Sequence, residues 1–211
     1  MEEHGMRQEL RMRNRAGSFE WSGGHPALDL VNTLDERPSD SPIEKLKTYR
    51  DLLRFAELAG LIESSVAVRL LHIGGRTSSR IVHRARRLRE HLHDVLAAAH
   101  LGRPVQQLDL HAISAAIQAA HAARALVASP SPGLASHRWS SPSAPEVPLH
   151  ACSLAIEGLL IDADRKKIRK CDAADCDVYY IDSSKAQLRQ WCSMKGCGNR
   201  EKQRRWRSAM P

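Results

Sequence analysis

The chain has 211 residues, 42% of them hydrophobic, and a net charge of +8. That is enough apolar material for one sizeable core and a small second domain, which excludes a disordered protein. No apolar run reaches the ~18 residues of a membrane span, and the first residues hold no apolar signal core, so the expected compartment is the cytoplasm, with no membrane partner. The charge is localised: residues 1–164 carry 19 Lys+Arg against 19 Asp+Glu, whereas residues 165–211 carry 13 against 5. A neutral body with a compact basic end suits a densely anionic partner, nucleic acid first. That end lacks the apolar stripe of a membrane-surface helix.

In chain order, residues 1–17 read as a disordered charged tail. Phe19 to Trp21 form a short extended piece before a Gly-Gly turn, and Pro26 opens a helix at the position where its missing amide hydrogen does no harm. "SPIE" predicts a second helix start, with Ser41 as cap, Pro42 first and Glu44 closing a capping box. Ile43, Leu46, Tyr49, Leu53 and Ala56 follow at helical steps, and Gly60 ends that helix. Further helices are predicted over 64–73, 78–101 and 106–127. The Ser/Pro-rich stretch that follows reads as loop, with "SHRWS" around Trp139 as a short strand. Cys152, Ala155, Ile156, Leu159 and Leu160 mark the buried face of a last body helix.

Four of the five cysteines fall as "CDAADC" and "CSMKGC", Cys171 with Cys176 and Cys192 with Cys197. In a compartment that keeps thiols reduced, such pairs are metal ligands and not disulfides. Two short chelating loops supply the four ligands of a tetrahedral zinc ion, and four thiolates leave no open position for catalysis. "DVYYIDSS" has the β-branched and aromatic character of one hairpin arm between the pairs. Cys152 reads as a core residue.

Behind the last cysteine a helix is predicted from Asn199 to Ser208. Arg200, Arg204 and Arg207 share one side of it, Lys202 and Arg205 another, and Trp206 either packs back on the finger or stacks on a base. A charge run is ordinarily a solvated face. Five cations beside a metal site point instead to DNA, with most contacts to phosphates and with Asn199 or Arg200 at the helix start in reach of base edges.

"RQWCSMKGCGNR" resembles the CGNR zinc finger of bacterial regulators, spelled here by Cys197, Gly198, Asn199 and Arg200, with Arg189-Gln190 where the family has two arginines. "GGHPALDLVNT", Gly23 to Thr33, is similar to the ABATE domain that accompanies this finger, as are, more weakly, Leu88-Arg89-Glu90 and Gly102-Arg103-Pro104. A Ser/Pro-rich loop stands where that family has a strand pair before its last body helix. The resemblance implies a stress-linked transcription regulator with a sensing domain ahead of a DNA-binding finger.

Read without the family, His25, Asp29, Asn32 and Thr33 form a polar stripe on the first helix. Polar groups on a partly buried helix need partners. They either line a small-molecule pocket, with Arg89 and Glu90, or cap and tie neighbouring segments. His93 and His100, two turns apart, read as a metal pair or an ordinary exposed face. No HExxH, GxSxG or Gly-rich phosphate loop occurs, so no enzyme is expected. The alternative to a DNA-binding regulator is a zinc-finger module that binds protein or RNA.

The expected fold class is mainly α: a helical N-terminal domain with a minor β element, plus a small C-terminal zinc finger of β-hairpin and helix. The expected boundaries are 18–164 for the helical domain and 165–211 for the finger.

Overall fold

The computed structural model describes residues 19–128 and 135–208. The tail expected at 1–17 and part of the Ser/Pro-rich stretch lie outside the described residues. The chain divides into two units: one is Leu46–Arg165, and the other joins the chain up to Lys45 with the chain from Lys166. Among the described residues no helix is long and apolar enough to cross a membrane.

The Leu46–Arg165 unit is mainly helical. Helix α2, Tyr49–Leu58, starts later than "SPIE" suggests. Thr48 caps it, its hydroxyl accepting from the Asp51 amide at 3.3 Å while the Asp51 carboxylate accepts from the Thr48 amide at 2.7 Å. This second capping box wins because Ile43 and Glu44 are held elsewhere as a strand. Helices α3 (Ser64–Leu70), α4 (Gly75–His100) and α5 (Gln107–Ala122) follow.

The helix expected to reach residue 127 thus stops at Ala122. Strand β3, Arg124–Ala128, takes over and pairs antiparallel with β4, Ala135–Trp139, from Arg124 opposite Trp139 to Ala128 opposite Ala135. The sheet that the Ser/Pro-rich stretch did not advertise is therefore present, and the short strand around Trp139 has a partner. Helix α6, Val147–Ile161, packs against α2, α4 and α5, burying Leu149, Cys152, Ile156 and Leu159. Leu52, Phe55, Ile81, Leu92 and Ile113 complete this core. Each such side chain contributes roughly 1.5–3 kcal/mol.

Polar ties set the helices' register. His91 meets Asp109 at 2.8 Å between α4 and α5, and His121 meets Glu157 at 2.7 Å between α5 and α6. His93 lies against Asp94 and His100 is exposed. Among the described residues neither joins a cluster of metal-ligating side chains.

The second unit holds helix α1 (Pro26–Val31), strands β1 (Leu34–Asp35) and β2 (Ile43–Glu44), the hairpin β5 (Ile168–Lys170) and β6 (Tyr179–Ile181), and helix α7 (Asn199–Ser208). Leu34 sits opposite Glu44, and Asp35 opposite Ile43. In the hairpin Ile168 pairs with Ile181 and Lys170 with Tyr179. The partner of "VYYI" therefore precedes Cys171, so the hairpin encloses the first cysteine pair.

Candidate metal centre and nucleic-acid interface

The β5–β6 connection carries Cys171 and Cys176, and the Cys171 amide donates to the Val178 carbonyl at 2.9 Å, closing the loop over its own ladder. A wide helical turn, Met194–Gly198, carries Cys197. Ser193 caps that turn, accepting from the Gly196 amide at 3.2 Å. Gly198 lies close against both halves: a Cβ would lie 3.0 Å from the Met194 sulfur and 3.4 Å from the Trp191 ring. The "WCSM" and "CGNR" halves of the motif thus interlock through Trp191, Met194 and Gly198.

The sulfurs of Cys171, Cys176, Cys192 and Cys197 all lie within 4.8 Å of one another. Cys176 is 3.8 Å from Cys192, which is 3.5 Å from Cys197. A tetrahedron with metal–sulfur bonds of ~2.3 Å has edges of about 3.8 Å, so the donor set fits zinc. Crowding splits the proton affinities of the thiols. Hydrogen bonds from Cys176 and Cys192 hold Cys171 well below its ordinary value, while sharing with Cys171 pushes Cys176 up to about 12 and Cys192 up as well. A divalent cation removes that conflict by taking all four as thiolates. None of the five cysteines is in a disulfide, and Cys152, buried on helix α6, is pushed up to about 12 by desolvation.

The shell around the sulfurs is specific. The Cys192 amide donates to the Cys171 sulfur at 3.3 Å, and one Arg200 nitrogen reaches both the Cys197 sulfur at 3.3 Å and the Asp175 carboxylate at 3.1 Å. Arg189 lies with its guanidinium 4.2 Å from the centre of the Tyr180 ring. It donates to the Trp191 carbonyl at 2.8 Å and to the Cys192 carbonyl. The buried Tyr180 hydroxyl returns a bond to the Arg189 carbonyl at 2.5 Å. Asp182, also buried, accepts from the Ser184 hydroxyl and amide and from the Arg189 amide. Sequence reasoning passed over Asp175, Tyr180 and Asp182, and Arg189 was visible only as part of "RQWC".

Helix α7 buries none of its residues. Lys202, Arg205 and Arg207 are exposed, Arg204 pairs with Glu201, and Asn199 reaches the Lys195 carbonyl at 3.5 Å. Trp206 is 65% exposed, so it does not pack back on the finger.

The residues of the polar stripe are placed one by one. His25 caps α1, its Nδ1 accepting from the Ala27 amide at 3.2 Å. Asp29 accepts from the Gly23 amide at 2.8 Å, and Thr33 donates to the Leu30 carbonyl at 2.6 Å. Asn32 donates to the Tyr179 carbonyl at 2.9 Å and accepts from the Tyr179 amide at 3.1 Å. In the other unit, the buried Arg89 pairs with Glu90 at 2.8 Å. A groove of about 630 Å³ runs beside the sulfurs, bordered by Asp35, Arg37, Asp175, Asp177 and Arg200, and Asn32 is the one stripe residue on its wall.

The ABATE family, described as "Putative stress-induced transcription regulator", matches residues 24–163, and the CGNR zinc finger matches residues 167–209. No curated protein matches the chain. Both family descriptions are of regulator and zinc-finger types, not of enzymes, and the finger with its four clustered cysteines makes zinc the cofactor. The match to residues 24–163 spans most of the chain, which therefore belongs to the ABATE family and carries a CGNR zinc finger at its C-terminal end.

Proposed function

We propose that the protein is a cytoplasmic, DNA-binding transcription regulator in which Cys171, Cys176, Cys192 and Cys197 hold a structural zinc ion that orients helix α7. The observation that carries this reading is the exposure of α7: a helix that follows directly on the turn carrying Cys197 and is free of buried residues turns Lys202, Arg205 and Arg207 to solvent. Arg204, shared with Glu201, adds to that surface, while Arg200 is spent on Asp175 and Cys197 and serves the metal end first. Exposed Trp206 offers a stacking face. Asn199, at the start of the helix, would read a base edge.

Counterion release tests the reading. Zinc-loaded protein titrated with genomic fragments over a salt series should bind with a log–log slope of about −3 to −4, close to one phosphate per available cation. A few fragments should survive bulk competitor DNA. No binding at low salt would leave the finger as a module for protein or RNA. The sensing role of the helical unit rests on the family likeness, and a screen for ligands that raise its thermal transition tests it.

A further inference from the structure

Residues Gly23–Asn32 belong to the sequence matched by, or bordering, the ABATE family, yet both ends of the segment bond to the zinc-finger hairpin. Two fixed points hold them there. At one end the Ile181 amide donates to the Gly23 carbonyl at 2.8 Å. At the other the Asn32 side chain brackets Tyr179, donating to its carbonyl at 2.9 Å and accepting from its amide at 3.1 Å. The edge of β6 that β5 does not use is therefore paired by an N-terminal segment 147 positions away. An unpaired edge in its place would leave these groups to solvent or to a stray strand.

The motif residues are shaped for this docking. Gly23 has no room for a side chain, since a Cβ would lie 2.7 Å from the Leu28 Cβ and 2.9 Å from both the Asp29 amide nitrogen and its Oδ1. Gly24 adopts φ +76°, a conformation that L side chains rarely take, and runs past Ile181. Asp29, buried, accepts from the Gly23 amide and fixes the turn to the helix. Helix α1 has only six residues, too few to persist without a surface to pack on. Tyr180, between Tyr179 and Ile181, lies in the same buried cluster as Cys171, Cys192 and Cys197.

We infer that "GGHPALDLVN" is a working part of the zinc unit: it docks on the β6 edge, folds with the metal, and governs how firmly the metal is kept. The inference rests on the zinc assignment. Coupling between two sites is reciprocal, so zinc should order the segment and the segment should slow zinc loss.

The test uses the full chain. Hydrogen exchange is followed on zinc-loaded protein and again after removal of zinc by a chelator under reducing conditions. Loss of zinc should speed exchange at the amides of Asp29 and Asn32 together with Tyr179 and Ile181, while Leu52–Leu58 and the middle of α4 keep their protection. Amides 23–33 that stay protected while 168–208 open would overturn the inference and leave the zinc assignment standing. A chain that takes up no zinc would overturn both. As the reverse arm, Asn32→Ala should release zinc to a chromophoric chelator on the order of tenfold faster. Thr33→Ser, which keeps the bond to Leu30, should release it at the unaltered rate. Equal rates for both variants would overturn the inference. If Asn32→Ala fails to fold, the exchange experiment on the unaltered protein still decides.

Discussion

The guanidinium of Arg200 lies 3.3 Å from the sulfur of Cys197 and, through the same nitrogen, 3.1 Å from the carboxylate of Asp175. The arginine that closes the "CGNR" signature thus faces the metal site, where a cation offsets the surplus negative charge of four thiolates around one divalent ion. Partners in the shell around a metal typically change its affinity by about 10–100-fold. Arg200→Ala should therefore weaken zinc retention by about that factor in competition with a chelator. A variant that loses DNA binding and keeps zinc fully would assign Arg200 to the nucleic acid instead.

Arg189 makes three contacts with one side chain: it covers the Tyr180 ring, holds the Trp191 carbonyl and reaches the Cys192 carbonyl. Removing it strips charged donors from two carbonyls and uncovers an aromatic face. Arg189→Ala should destabilise the zinc unit by about 2–4 kcal/mol. A denaturant series with zinc release as the readout measures this, and the helical unit's own transition should not move.

Asp182 accepts three hydrogen bonds, two from Ser184 and one from Arg189, and its carboxyl is held below the usual carboxylate range, chiefly by the Ser184 hydroxyl. A depressed folded-state pKa contributes stability that is present above the unfolded value of about 3.9 and lost as pH falls through the folded value. Asp182→Asn turns one acceptor into a donor that faces a donor. It should lower the melting temperature of the zinc-loaded unit at neutral pH by a few degrees. Thermal scans of the zinc-loaded protein at neutral pH check it.

Glu201 is the one acid on α7 and it is engaged by Arg204. Glu201→Gln should release that arginine to phosphate and steepen the salt dependence by up to about one unit of slope. Arg205→Ala should make it shallower by about one. Titrations of a single duplex over a salt series distinguish the two, and an unchanged slope for Arg205→Ala would place that residue outside the interface.

The cysteine cluster was legible because ligand spacing is a local pattern, and α7 because it follows directly on Cys197. Pro26 likewise announced α1 through its own chemistry. What was misread turned on competition between near-equal local signals. Ser41 and Thr48 both offer capping boxes, and only the pairing of Ile43 and Glu44 with Leu34 and Asp35 selects the second. "RALVA" continues a helical pattern as readily as it makes a strand, and only its partner at Ala135–Trp139 decides. The polar stripe on α1 gave no sign of its partner, since the bond from Asn32 to Tyr179 joins residues far apart in sequence and depends on backbone atoms, which carry no residue identity.

The zinc unit is assembled from the two ends of the chain, with Leu46–Arg165 between them in sequence. During synthesis the first half of that unit leaves the ribosome early, and its glycine turn and short helix have no strand to dock on until Tyr179–Ile181 have emerged. A product cut short before Cys197 lacks one sulfur of the metal set and the whole basic helix. It keeps every residue of the helical unit, but has no means of presenting the cations of α7. The metal set closes only once Cys197 has been made, so a chain stopped before it is left without its basic surface.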